Sequence, residues 1–215
     1  MPSAADIAER LGGRLVRGDP ACTIDRVAPP AEAGDGDVCV LFGRARPADP
    51  SLVVAADPDA WDGALVLVDD PRRAFSQLLT WLHAVDLPSP GLHPSAVLHP
   101  SAVVGEGTSV GALAVVEAGA RIGRDAVISA QCFVGPGVEV GDRCRLEPGV
   151  RLLAGTRLGP GVRVGAGSVL GSRGFGLLDP DASGWRETVP QVGGLRVEEG
   201  ADIGALVAID RGTLG

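Results

Sequence analysis

The sequence predicts a mainly β protein, in which a parallel β-helix follows a small α/β domain. Three observations lead there. From Leu92 to Leu170 an aliphatic residue recurs at every sixth position without a failure. Glycine stands directly after most of those positions, and a small side chain stands two residues before them. The composition agrees: 32 Gly and 17 Pro among 215 residues, no Tyr, and still 45% apolar side chains describe a turn-rich chain that can bury a core.

A period of six matches neither the 2 of a strand nor the 3.6 of a helix, so each unit is a short strand and a turn, repeated. Three units close a triangular coil of eighteen residues. Leu98, Val116, Val134, Leu152 and Leu170 then stack up one inner face at the strand spacing of about 4.8 Å. The glycines after the aliphatic positions, such as Gly105, Gly123 and Gly141, are expected to supply corner dihedrals that a Cβ would resist. Arg121, Glu139 and Arg157 are also eighteen apart and form a plus, minus, plus ladder outside, a solvated feature worth little. Cys132 and Cys144 are twelve apart, hence on different faces and not expected to form a disulfide.

The first module spans residues 1–84. Ser3 followed by Asp6 starts a helix with Ile7 and Leu11 on one face, and Gly12-Gly13 stops it. Short β-type stretches are expected at Thr23–Val27, Val38–Phe42, Leu52–Ala55 and Ala64–Val68. Asp70 caps a second helix with Pro71 at its first position, and Phe75, Leu78, Leu79 and Leu82 form its apolar stripe. Residues 85–94 read as a stiff, proline-rich linker, and residues 95–215 as the β-helix domain.

Composition excludes several classes. The net charge is −8 and every basic residue is Arg, so a nucleic-acid face is not expected. No apolar run approaches the roughly 20 residues of a membrane span, and no signal peptide opens the chain; the expected location is cytoplasmic. The four cysteines and three histidines, His83, His93 and His99, lack metal-ligand spacing, and no cofactor is expected.

After Gly171 the repeat breaks, and it resumes at Val197, Ile203 and Ile209. Residues 172–196 therefore leave the coil as a loop, and long insertions on a solenoid usually carry function. The chain stops at Gly215 in mid-repeat and reads as C-terminally truncated, since solenoids normally cover an open coil end.

Within that break, Gly174-Phe175-Gly176, Trp185, Val189-Pro190-Gln191-Val192-Gly193, and the segment Ile203-Gly204 through Ile209-Asp210-Arg211-Gly212 resemble, in order and spacing, the UDP-3-O-(3-hydroxyacyl)glucosamine N-acyltransferases of lipid A synthesis. The Gly36-Asp37-Val38 step, the Asp70-Pro71 helix start and the His93-Pro94-Ser95-Ala96-Val97 entry to the repeats also have counterparts there. The left hand of the helix comes from this resemblance to hexapeptide-repeat proteins; the spacing alone does not fix it.

The resemblance implies transfer of an (R)-3-hydroxyacyl group from acyl carrier protein to the 2-amino group of UDP-3-O-acyl-glucosamine, in a homotrimer with sites between subunits. It also implies a general base that in the family is a His of a later coil, beyond Gly215, so the isolated chain is expected to be inactive. In the family a Phe and a Tyr sandwich uracil with an Asn between them, in a stretch matching Val38 to Arg46. This sequence has Val40, Gly43 and Arg46 at those places. Two uses stay open for Phe42, a shifted stacking platform or core packing, while Arg46 is a candidate to stack or to meet phosphate. Phe175, Gln191, Asp210 and Arg211 are the candidates for the wall of the acyl-transfer site, with Asp210 and Arg211 alternatively pairing with each other. The competing class is a non-catalytic nucleotide-sugar-binding or scaffold protein on the same repeats; a third reading is another hexapeptide acyltransferase that takes its base from elsewhere.

Overall fold

The computed structural model describes residues 1–43, 46–83 and 87–214. The end of the expected first module and the start of the expected linker, at residues 84–86, lie outside the described residues. The chain divides into two compact units, Met1–Asp86 and Leu87–Gly215.

In the first unit the order is α1 (Ala4–Leu11), β1 (Arg14–Arg17), β2 (Arg26–Val27), β3 (Asp37–Val40), β4 (Leu52–Ala55), β5 (Leu65–Leu67) and α2 (Pro71–Leu82). Ser3 and Asp6 form a reciprocal capping box, and Gly12 ends α1 in the left-handed conformation. The Asp70 side chain caps α2 by accepting from the N–H groups of Arg72 and Arg73. The sheet order is β1-β5-β4-β3-β2, with β1 antiparallel to β5 and the remaining pairs parallel. β3 and β4 are buried on both faces, as the central strands of such a sheet must be.

Strand β1 was not expected from the sequence, because Arg14-Leu-Val-Arg carries only two apolar residues. β2 and β3 are shorter than the expected stretches: Phe42 lies beyond the end of β3.

Asp37 is buried and receives two hydrogen bonds from the Arg26 guanidinium, at 2.8 and 3.1 Å, and one from the Gly34 N–H. These donors, Arg26 first, hold its carboxyl below the ordinary value. A depressed folded-state value contributes stability above the unfolded value, and that stability is lost as pH falls below about 4.

The second unit is a left-handed parallel β-helix whose strands are two to four residues long. Strands pair in register at eighteen-residue intervals on three faces, for example Val116 with Leu98 and Val134, and Val134 with Leu152. The inner positions form one continuous core, and Ile128, Leu146, Leu152 and Leu170 are among its largest fully buried side chains. The first strand, Gly91–Leu92, already belongs to this unit, so the segment read as linker contains the start of the coil.

Apart from Gly171, whose φ is 82°, the glycines after the aliphatic positions have a different reason from the one the sequence suggested. Gly105, Gly123 and Gly141 do not have positive φ. A Cβ at Gly105 would lie 2.5 Å from the Gly123 carbonyl carbon, and one at Gly141 would lie 2.6 Å from that of Gly159. These corners touch the next coil, and there is no room for a side chain. Positive φ falls two residues later, at Gly107, Gly119 and Gly137, and also at Leu113, Asp125, Gln131 and Arg143.

The small inner residue has its own role. Thr108, Thr156, Ser168, Cys132 and Cys144 are buried, and each donates to a backbone carbonyl: Gly123, Leu170, Gly204, Glu147 and Gly159 respectively. Burial raises the Cys132 thiol to about 11 and pushes Cys144 up as well, which makes both unreactive. All four cysteines are free thiols. On the outer surface Arg157 sits 3.7 Å from Glu139 with both side chains exposed, so that pair adds little.

Val134→Asp places an unpaired charge in the fully buried stack and should cost several kcal/mol in chemical denaturation; an unchanged midpoint contradicts the assigned phase. Gly141→Ala should destabilise, whereas Leu113→Gly, at φ 59°, should stabilise by up to about 1 kcal/mol. The opposite signs, read by thermal melting, separate the two corner roles. Asp37→Asn should remove part of the stability change between pH 5 and pH 3, measured by urea titration at each pH.

Candidate functional site

The sequence candidates fall into two places, one in each unit. In the first, Phe42 and Arg46 follow β3 and line a cleft of about 490 Å³ that also includes Asp57, Asp59, Trp61 and Asp62. The cleft lies past the carboxyl ends of the parallel strands β3 and β4, the usual ligand position in open α/β sheets. The Phe42 ring meets Phe75 of α2 edge-on, with centroids 5.3 Å apart, and remains 55% exposed.

The second place is the root of the insertion. The strand Val169–Ser172 leads out and Leu195–Val197 leads back, so the excursion is 173–194, slightly shorter than expected. Its distal half is a hairpin: Leu177 bridges Thr188, and the Asp181 carboxylate accepts from Ser183 and from the Trp185 N–H. The proximal part runs beside the chain after Ile209. Val192 N donates to Thr213 O, Gly193 N to Gly212 O, and Gly212 N to Gly194 O.

This ladder brings Gln191, Asp210 and Arg211 together. Gln191 is held at both ends of its amide, donating to Val189 O and accepting from the Thr213 hydroxyl at 2.7 Å. Asp210 accepts from the Ser172 hydroxyl. Arg211 donates through Nε to Gly171 O at 2.8 Å. Asp210 and Arg211 therefore do not pair with each other; each is tied to the strand on which the excursion begins. Gly174 sits among the three, where a Cβ would lie 3.5 Å from Gln191 Oε1 and 3.6 Å from Asp210 Cβ. Phe175 is 92% exposed, so its ring touches little of this cluster even though its backbone neighbours contact Gln191.

Three residues that the sequence did not single out belong to these places: Trp61, Ser172 and Thr213. Trp61 stands in the Asp-rich turn after β4 and packs against the cluster that contains Leu41, Val53 and Leu65. His93 and His99 lie in the first coil, each accepting at Nδ1 from the backbone N–H two residues on. Among the described residues no cluster of His, Cys, Asp and Glu forms a metal site, and no helix is long and apolar enough to cross a membrane.

Stacked hexads around a solid aliphatic core define a hexapeptide-repeat protein. The family model for the bacterial transferase hexapeptide (six repeats) matches residues 101–136, 119–154 and 137–172. Over the length it spans, the chain is similar to UDP-3-O-acylglucosamine N-acyltransferases. It is 44% identical to that protein of Leptothrix cholodnii over 95% of this chain, and 36% identical to that of Alkalilimnicola ehrlichii over 99%. The chain spans 62% of the length of both relatives. Among solved structures, the acetyltransferase domain of PglB from Neisseria gonorrhoeae aligns with 98% of this chain and 86% of its own, at a TM-score of 0.44 and 20% identity.

Thr213→Val removes the donor that fixes the Gln191 amide and should lower stability by about 1 kcal/mol, while Ser172→Ala should do the same through Asp210. Urea denaturation checks both, and wild-type midpoints in both would show that the root is not held by these bonds.

Proposed function

We propose that the chain is part of an N-acyltransferase that moves an (R)-3-hydroxyacyl group from acyl carrier protein to the 2-amino group of UDP-3-O-acyl-glucosamine, acting as a cytoplasmic homotrimer. The observation that carries the reading is the 44% identity over 95% of the chain to a protein of that name. It is supported by the insertion root, where Gln191, Asp210 and Arg211 are fixed side by side on a rigid coil.

In this reaction the amine lone pair attacks the thioester carbonyl, a C–N bond forms and the C–S bond breaks. The amine loses its proton to a base, and the departing thiolate takes one up. The root offers what an acceptor sugar needs for positioning: a guanidinium held by Nε, with its terminal nitrogens available for an anion, and a carboxylate and an amide for hydroxyl groups. Phe42 and Arg46 are proposed for the nucleotide, in the front domain.

The base is not among these groups. The sequence has no histidine after His99, and neither His93 nor His99 stands in the coils that carry the insertion. This favours the second reading, a nucleotide-sugar-binding protein without turnover, for the 215 residues taken alone. The test mixes the purified chain with 3-hydroxyacyl carrier protein and the UDP-acylglucosamine acceptor and follows the amide by mass spectrometry. Binding of the acceptor without product is expected, because loss of a general base costs about 10²–10⁴ in rate. Turnover at the rate of a longer relative would overturn the assignment of the base to a residue outside the chain.

A further inference from the structure

We infer that Gly171 is a positioning residue of the proposed acceptor site: as a one-residue bulge it turns its carbonyl onto Arg211 and so fixes the guanidinium as a fork for a phosphate of the acceptor. The inference rests on the proposed action on a UDP-linked sugar, and it adds the residue that aims the arginine.

The bulge lies where the excursion leaves the coil. Between the strands Val169–Ser172 and Ala208–Asp210, Leu170 faces Ile209 and Ser172 faces Asp210, which leaves Gly171 as the extra residue. The pair one coil earlier, Arg151–Leu152 with Val169–Leu170, runs in plain register. Gly171 has φ 82°, whereas Gly135, two coils earlier in the same column, has no positive φ. A left-handed glycine is the typical extra residue of a bulge, and such bulges bend a strand and re-aim side chains beside active sites. A side chain is excluded here twice over. The φ is one that L residues resist, and a Cβ would overlap the hydroxyl of the buried Thr156 and stand 3.3 Å from Leu153 O. That hydroxyl is already committed to Leu170 O.

Two consecutive carbonyls therefore face the returning chain. Ser172 O accepts from the Arg211 backbone N–H and Gly171 O accepts from Arg211 Nε, both at 2.8 Å. The Ser172 hydroxyl donates to Asp210, which draws that carboxylate to the bulged strand. Arg211 is thus held at its backbone and again near the end of its side chain, so anion binding removes little further rotamer freedom. A guanidinium has five N–H donors, and the four on its terminal nitrogens are not used by Gly171. Among the described residues they make no ion pair. A planar fork of this kind matches two oxygens of a phosphate, a geometry that lysine lacks.

Two measurements on the full chain test this. In a ¹H–¹⁵N spectrum the Arg211 Nε–H should exchange with water at least about tenfold more slowly than that of the exposed Arg163. In calorimetric titration with UDP-3-O-acyl-glucosamine, Arg211→Ala, Arg211→Lys and Gly171→Ala should each weaken binding by about tenfold or more, the scale of one charge-assisted hydrogen bond. Once Arg211 is Ala, adding Gly171→Ala should change affinity by less than about twofold, because Gly171 acts through that arginine. Full binding by Gly171→Ala, an additive loss in the double variant, or a fast Nε–H overturns the inference and leaves the acceptor reading intact. If Gly171→Ala does not fold, the Nε–H exchange and Arg211→Lys decide, and wild-type affinity in Arg211→Lys overturns the fork. If the wild-type chain does not bind the acceptor, the acceptor reading falls and the inference with it.

Discussion

The second unit depends on how closely one coil approaches the next. Coil strands are only two to four residues long, so no single strand has enough hydrogen bonds or side-chain area to hold itself. Each must lie in register on the coils above and below. At the corners that approach leaves no volume for a Cβ, as at Gly105 and Gly141. Within the prism it leaves room for one aliphatic side chain and one small one per hexad. Where that residue is Thr, Ser or Cys, its hydroxyl or thiol supplies a donor to a backbone carbonyl of the neighbouring turn. Stability is accordingly spread along the stack, each coil depending on its neighbours.

That rigidity is what makes the insertion root useful. An excursion of this length would by itself order few side chains, because fixing loop backbone costs roughly 1–2 kcal/mol per residue. Here the cost falls mainly on the hairpin, while the root is laid against the coil by backbone hydrogen bonds from Val192, Gly193 and Gly212. Gln191, Asp210 and Arg211 inherit their positions from that backbone, and Ser172 and Thr213 fix the orientation of two of them.

Much of this architecture was legible in the sequence, because a sustained six-residue period fits a stack of short strands and neither a helix nor a long strand. The strand phase, the inner stack, the free cysteines and both helix caps could be read from spacing and residue type. Handedness could not, since the spacings of a left-handed and a right-handed prism are the same. The role of the corner glycines was misread for a related reason: a glycine demanded by close approach and one demanded by positive φ look alike in sequence. Leu113, Asp125 and Arg143, which adopt the positive φ, carried no sign of it. The insertion root was legible as a set of residues but not as a geometry, and its true pairings, Asp210 with Ser172 and Arg211 with Gly171, connect residues far apart along the chain.

The coil should hold the insertion root as firmly as it holds its own strands, and amide hydrogen exchange measures this directly. An anchored root predicts that the amides of Arg211, Val192, Gly193 and Gly212 exchange nearly as slowly as those of the strands from Val115 to Leu170, while the hairpin amides between Leu178 and Glu187 exchange far faster. If the root amides exchange at the rate of the hairpin, the excursion is not anchored, and the grouping of Gln191, Asp210 and Arg211 cannot serve as a site.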